Sequence, residues 1–196
     1  MIIDELSVYG QRKSIFKGLA EASPTLQGRY HVSPNYGYDL NTNNLQKFIK
    51  DPLYGLSAVN QKYPICVCMT PKSRPTRING MRWEKIFFSL YFLRKSFITG
   101  DNQIDTPDDF VNTQSQLLIE QDWSEMKNVA VTFLFGLEDH LDGSTTEIIV
   151  GKSILYKGVL NIEDKSDIIR LSRFNNDDLT GVQLNVIMNL NLIDCL

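Results

Sequence analysis

The chain contains no stretch approaching the ~18 uncharged apolar residues that a membrane helix requires. Positive charge is not in excess: 20 Lys and Arg stand against 23 Asp and Glu, a net charge of -3. A chain so balanced is not built as a whole to coat nucleic acid. Histidine is scarce, with only His31 and His140, neither in a recognisable motif. No nucleophile with its base and orienting partner can be put together from them. Cysteine is scarce too, at three residues, an odd count. Cys66 and Cys68 are two apart, which in a strand places both on one face, poorly aimed for a disulfide. They read as small buried hydrophobes in a reduced cytosol. A zinc site would need two more ligands, and only Cys195, His31 and His140 could supply them. The opening Met1-Ile2-Ile3-Asp4-Glu5 lacks a basic region, so no signal peptide is expected. Internal repeats and low-complexity tracts are lacking as well.

What is present suits a globular protein. With 196 residues, 42% apolar and 22% charged, the chain reads as a single domain over 1–196 that buries roughly 70% of its extended surface. Ile2, Leu6, Tyr9, Phe16 and Ala20 recur at helical spacing until Ser23-Pro24 stops them. From 24 to 60 periodicity vanishes, and aromatics such as Tyr30, Tyr36, Tyr38 and Tyr54 are scattered among prolines and glycines. So long an irregular connection is either a functional arm or a set of short strands resting on a neighbour. Exposed aromatics of that kind mark an interaction surface, which puts Tyr36 and Tyr38 at an expected interface.

Lys62 to Thr70 is a nearly continuous apolar run, a strand buried on both sides. Pro71 to Arg82 reads as a turn-rich loop. From Trp83 to Leu93, Ile86, Phe88, Leu90 and Phe92 alternate with Phe87, Ser89, Tyr91 and Leu93, giving a second strand and a hairpin with a projecting tip over 71–85. Thr106-Pro107-Asp108-Asp109 is a helix start with a cap, a first-turn proline and early acids. Ile119, Trp123, Met126, Ala130, Phe133 and Leu137 then form an apolar stripe at helical spacing. Short strands are expected over 154–160 and 168–174, and turn chemistry over Asn175 to Gly181. A last strand carries Val182, Leu184, Val186, Met188 and Leu190 on one face, with Gln183, Asn185 and Asn189 on the other. This order predicts an α+β fold: a mostly antiparallel sheet with two helices packed on one face and a long irregular arm.

Sites of chemistry are poorly supported. Gly151-Lys152-Ser153 lacks the glycine five residues earlier that a phosphate-binding loop needs, since Thr146 stands there, and a strand-like segment follows it. Glu138, Asp139, His140 and Asp142 lie too close together for a calcium loop. No metal, cofactor or catalytic residue is expected. One charge feature stands out. Lys72, Arg74, Arg77, Arg82 and Lys85 crowd fourteen residues that hold a single acid, Glu84, whereas Asp101, Asp105, Asp108, Asp109, Glu120, Asp122 and Glu125 gather at the long helix. A basic hairpin on one subunit and an acidic helix start on the next would suit a head-to-tail contact.

The order of pieces resembles the neck and tail-completion proteins of tailed bacteriophages, tail terminators among them, of the Bacteroidales and crAss-like phage type. The residues that carry the likeness are Leu19-Ala-Glu-Ala-Ser-Pro24, Gly37-Tyr-Asp-Leu-Asn41, Lys62-Tyr-Pro-Ile65, the helix around Trp123, and Asp178-Leu-Thr-Gly-Val182 leading to Asp194-Cys195. The resemblance implies a virion component made in the host cytoplasm and no chemistry of its own. It implies a homo-oligomeric ring with portal, neck or tail proteins as neighbours, DNA as a possible occupant of the lumen, and no membrane. A small cytosolic ligand-binding module or enzyme is the alternative. The apolar stripe gives the first testable expectation. Phe133→Ala should cost ~3–5 kcal/mol in a two-state melt, and a loss below ~1 kcal/mol would reassign the helix face.

Overall fold

Ser14 accepts a hydrogen bond from the Lys17 amide through its hydroxyl at 3.0 Å, capping helix α1 (Ile15–Ala22). The computed structural model describes residues 14–33, 63–78, 80–95, 109–141, 147–149, 155–157, 161–162, 167–174 and 179–191. Of the expected N-terminal helix, the part before Ser14 lies outside the described residues. The chain leaves α1 through Gly28, whose φ of +77° favours glycine and whose amide donates to the Ala20 carbonyl at 2.8 Å.

Residues 24–33 are not part of an arm. Leu26 and Tyr30 are buried beside Phe16 and Ala20, and Tyr30–Ser33 forms strand β1. Arg29 ties this turn down by donating to the carbonyls of Pro64 (2.7 Å) and Thr25 (2.8 Å). Enough apolar surface is buried here to hold the segment against the core, which composition alone did not reveal. Residues 34–62, with Tyr36 and Tyr38, lie outside the described residues.

Strand β2 (Ile65–Ile78) pairs parallel with β1 and antiparallel with β3 (Met81–Lys95). The β2–β3 ladder continues to Ile78↔Met81, interrupted by one irregularity between Met69 and Lys72. The expected loop over 71–82 is therefore mostly strand, with the reversal falling between Ile78 and Met81. Gly80, at φ +81°, takes the left-handed conformation that tight hairpin turns demand. Strand β8 (Leu179–Asn191) pairs antiparallel with β3 along its length, from Trp83↔Asn191 to Lys95↔Leu179. Beyond β8, strands β6 (Asn161–Ile162) and β7 (Asp167–Phe174) pair with different stretches of it. The result is a six-stranded mixed sheet, mostly antiparallel, with a separate two-stranded ladder of β4 (Glu147–Ile149) and β5 (Leu155–Lys157). With both helices on one face, the fold is α+β.

Helix α2 (Asp109–Leu141), about 50 Å long at 1.5 Å per residue, crosses that face. Its stripe of Met126, Ala130, Phe133 and Leu137 is buried against Phe88 and Phe92 of β3 and Val182 to Met188 of β8. The Phe133 ring lies 5.5 Å from Phe16 and 5.3 Å from Phe92, centroid to centroid, and Phe16 meets Phe88 edge-on at 5.2 Å. Gly136 lets Leu19 of α1 come close: a Cβ there would sit 2.9 Å from the Leu19 methyl. Trp123, expected in the core, sits at its rim.

The far face of the sheet divides in two. Ile65, Val67, Met69, Tyr91, Leu93 and Leu179 form a second apolar cluster, so Ile65–Met69 of β2 is buried on both sides as its sequence predicts. Further along that face Ser89 donates to Asn185 at 3.0 Å, Gln183 donates to the same oxygen at 2.8 Å, and Phe87 is 37% exposed.

Two polar contacts bolt α2 to the sheet. Arg94 reaches from β3 to Asp122, at 3.3 Å, and to Glu125. The Trp123 indole donates to the Leu171 carbonyl at 2.6 Å, beside the register shift in β7. Gly181, expected in a turn, lies instead within β8 between Leu93 and Leu171. A Cβ at Gly181 would stand 1.9 Å from the Phe92 carbonyl oxygen, so only backbone movement could admit one. Gly181→Ala should thus lower stability by about 3 kcal/mol, read from the urea midpoint. A loss under ~1 kcal/mol would show that β3 and β8 can separate freely there.

Candidate functional site

Strand β1 ends at Ser33, opposite Met69, and beyond it β2 has no further neighbour on its outer edge among the described residues. The exposed ribbon that follows carries the basic residues singled out by sequence. Lys72, Arg74, Arg77 and Arg82 are all exposed. Their register is informative. Arg74 stands directly opposite Lys85, and Arg77 directly opposite Arg82. Like charges facing each other across two strands destabilise a ladder. Lys72, Arg74 and Lys85 share the face that also holds Phe87 and Trp83, whereas Arg77 and Arg82 fall on the helix side. The Trp83 indole nitrogen is buried without a hydrogen-bond partner among the described residues.

The same ribbon is poorly suited to pairing with another strand. Pro71 and Pro75 lack an amide to donate, a register shift precedes Lys72, and cations line the edge. What it offers a partner is charge rather than a ladder.

The acidic residues are divided more finely than their spacing suggests. Asp109 opens α2, and Asp101, Asp105 and Asp108 lie outside the described residues. Asp122 is buried and turned with Glu125 toward Arg94, so both carboxylates are engaged within the chain. Glu120 alone of the central acids is exposed and has no ion pair among the described residues. The helix start also exposes Leu117 (59%) and Leu118 (48%). Arg94, where α2 meets β3, is 13 residues along β3 from Met81. At ~3.3 Å per residue, the Asp122–Glu125 stretch of α2 and the hairpin turn lie about 40 Å apart at opposite ends of β3.

A second feature escaped the sequence. Glu120, Trp123, Ser124 and Lys127 of α2 face Ile168 and Arg170 of β7 across a groove of about 550 Å³, floored by Val182. Arg170 lies over the Trp123 ring, 5.2 Å from its centroid. No spacing rule connects a helix with a strand over forty residues later, so only the fold could assemble it. By contrast, Asn79-Gly80 was a readable hairpin signal.

The remaining candidates are structural. Cys66 and Cys68 point into the core beneath the helices, and burial pushes both thiols up, Cys68 to about 12 despite a hydrogen bond with Tyr30. Half-buried His31 is held below the usual imidazole range by desolvation. Among the described residues no three His, Cys, Asp or Glu side chains converge as a metal site, and no helix is long and apolar enough to cross a membrane. No known protein family matches the sequence, and no curated protein is detectably similar to it.

Buried protonated thiols are unreactive. In a Cys195→Ser background, an aromatic disulfide reagent at pH 8 should leave Cys66 and Cys68 untouched in native protein and modify both in denaturant. Rapid reaction of the native protein would contradict this placement.

Proposed function

We propose that the protein is a structural subunit of a ring in the neck or tail of a tailed bacteriophage, a head–tail connector or tail terminator. It is made in the host cytoplasm, carried in the virion and has no chemistry of its own. The resemblance of its segments to neck and tail-completion proteins supports this reading. The observation that carries it is the placement of the basic ribbon at one end of β3 and, at the other, of the Leu117–Glu125 stretch of α2 that Arg94 anchors there. A closed ring requires two different complementary surfaces on each subunit, too far apart to satisfy one another within one copy. Their separation of about 40 Å along β3 meets that requirement.

The contact divides its work between charge and apolar area. Exposed ion pairs contribute only ~0–1 kcal/mol each, so Lys72, Arg74, Arg77 and Arg82 set register and partner choice. Leu117 and Leu118 beside the helix start, with Phe87 at the ribbon's base, supply the apolar surface. The opposed Arg74–Lys85 and Arg77–Arg82 pairs are relieved when an acidic neighbour is seated against them.

The test is the double variant Arg74→Glu, Arg77→Glu. Its melting temperature should match or exceed that of the parent, because two like-charge pairs become opposite-charge pairs. Particle assembly, scored by electron microscopy of phage lysates, should fail at the neck or tail. Normal particle yield from a folded double variant would overturn the assignment. Particles that assemble but release DNA abnormally would instead place the ribbon in the lumen.

A further inference from the structure

The sheet has two outer edges, and they are treated differently. The β2 edge is defended by Pro71, Pro75 and a row of cations. The β7 edge, Asp167 to Leu171, has no proline, and among the described residues no strand pairs with it. Its side chains are open as well: Asp167 and Arg170 are exposed and Ile169 is 46% exposed. An undefended edge is a template for strand addition.

Alongside that edge runs the groove between β7 and α2. A strand edge flanked by a helix is the arrangement in which an extended peptide gains backbone hydrogen bonds on one side and side-chain pockets on the other. The groove has an aromatic wall in Trp123 and an apolar one in Ile168. Lys127 and Arg170 bring a positive charge from each side, and among the described residues neither is ion-paired. Arg170 is held over the Trp123 ring, which positions its guanidinium without neutralising it. Glu120 is the lone acid on the lining, one helical turn from Ser124 and two from Lys127.

We infer that the β7–α2 groove binds an extended acidic segment of a partner protein by strand addition to β7. The segment pairs with Asp167–Arg170 over about 13 Å, ending where the Leu171 carbonyl is taken by the Trp123 indole. It places apolar side chains against Trp123 and Ile168, and a carboxylate between Lys127 and Arg170. Glu120 repels a second carboxylate at its end of the groove, which orients the segment along β7. This site is independent of the basic ribbon, which lies on the other edge of the sheet.

The test uses the full chain, isotopically labelled, and the blocked hexapeptide Val-Ser-Glu-Ser-Val-Ser, whose first, third and fifth side chains share one face of a strand. Amide signals of residues 167–171 and the Trp123 indole signal should shift saturably, and alternate β7 amides should gain protection from hydrogen exchange. The counterpart with lysine in place of glutamate should bind at least tenfold more weakly, as should the glutamate peptide N-methylated at every second residue. Lys127→Glu should weaken binding at least tenfold. Because Arg170 stacks on Trp123, Arg170→Gln accompanies Arg170→Glu as the variant that keeps the fold, and it should also weaken binding. Arg74→Glu, Arg77→Glu should bind like the parent. The inference is overturned if no saturable shift occurs, if the lysine peptide binds equally well, or if N-methylation makes no difference.

Discussion

The Phe133 ring, wedged between Phe16 and Phe92, is the contact on which the rest of the fold depends. Through it α1, α2 and the central strand β3 share one core, and Phe88 extends the cluster edge-on from Phe16. Aromatic rings in tilted contact bury large areas and add directional preference. They therefore set not only that α2 lies on the sheet but where along its length it does so. Gly136 and Leu19 then close the helices together, and Gly181 brings β8 against the Phe92 carbonyl. Small residues stand where backbones approach, and large ones where volume must be filled.

Charge is arranged in two ways. At the end where α2 meets β3, Arg94 is engaged by Asp122 and Glu125, one carboxylate buried and the other half-exposed. That network docks the helix and keeps one net negative charge, with the exposed Glu120 nearby on α2. Along the outer hairpin the arrangement is the opposite: cations face cations across the ladder. A folded chain tolerates such pairs when they are exposed to water, where each repulsion is small. The edge bearing them also resists unwanted strand pairing through its prolines. Protection from edge pairing is thus served by the same stretch that carries the exposed cations. The β7 edge from Asp167 to Leu171 lacks a proline.

Periodicity carried much of the fold. The alternation from Ile86 to Phe92 and from Val182 to Met188, and the 4-3 rhythm from Met126 to Leu137, specified the buried faces because side-chain direction repeats every 2 or 3.6 residues. They also implied the α+β class. Local signals placed the sheltered cysteines and the clustered cations. Tertiary structure decided what no local period encodes. Residues 71–78 lack alternating apolar residues, yet they are strand because β3 continues beside them. Residues 24–33 lack a pattern, yet Leu26 and Tyr30 are core because α1 and β2 enclose them. Gly181 has turn chemistry in sequence, and the fold uses its missing side chain for a close approach of strands. Asp122 reads as a surface acid, yet it is buried against Arg94, which is distant in sequence. The groove joins residues over forty positions apart through α2, β7 and β8. Such placements depend on which surfaces meet, and that is settled by burial and backbone pairing summed over the whole chain.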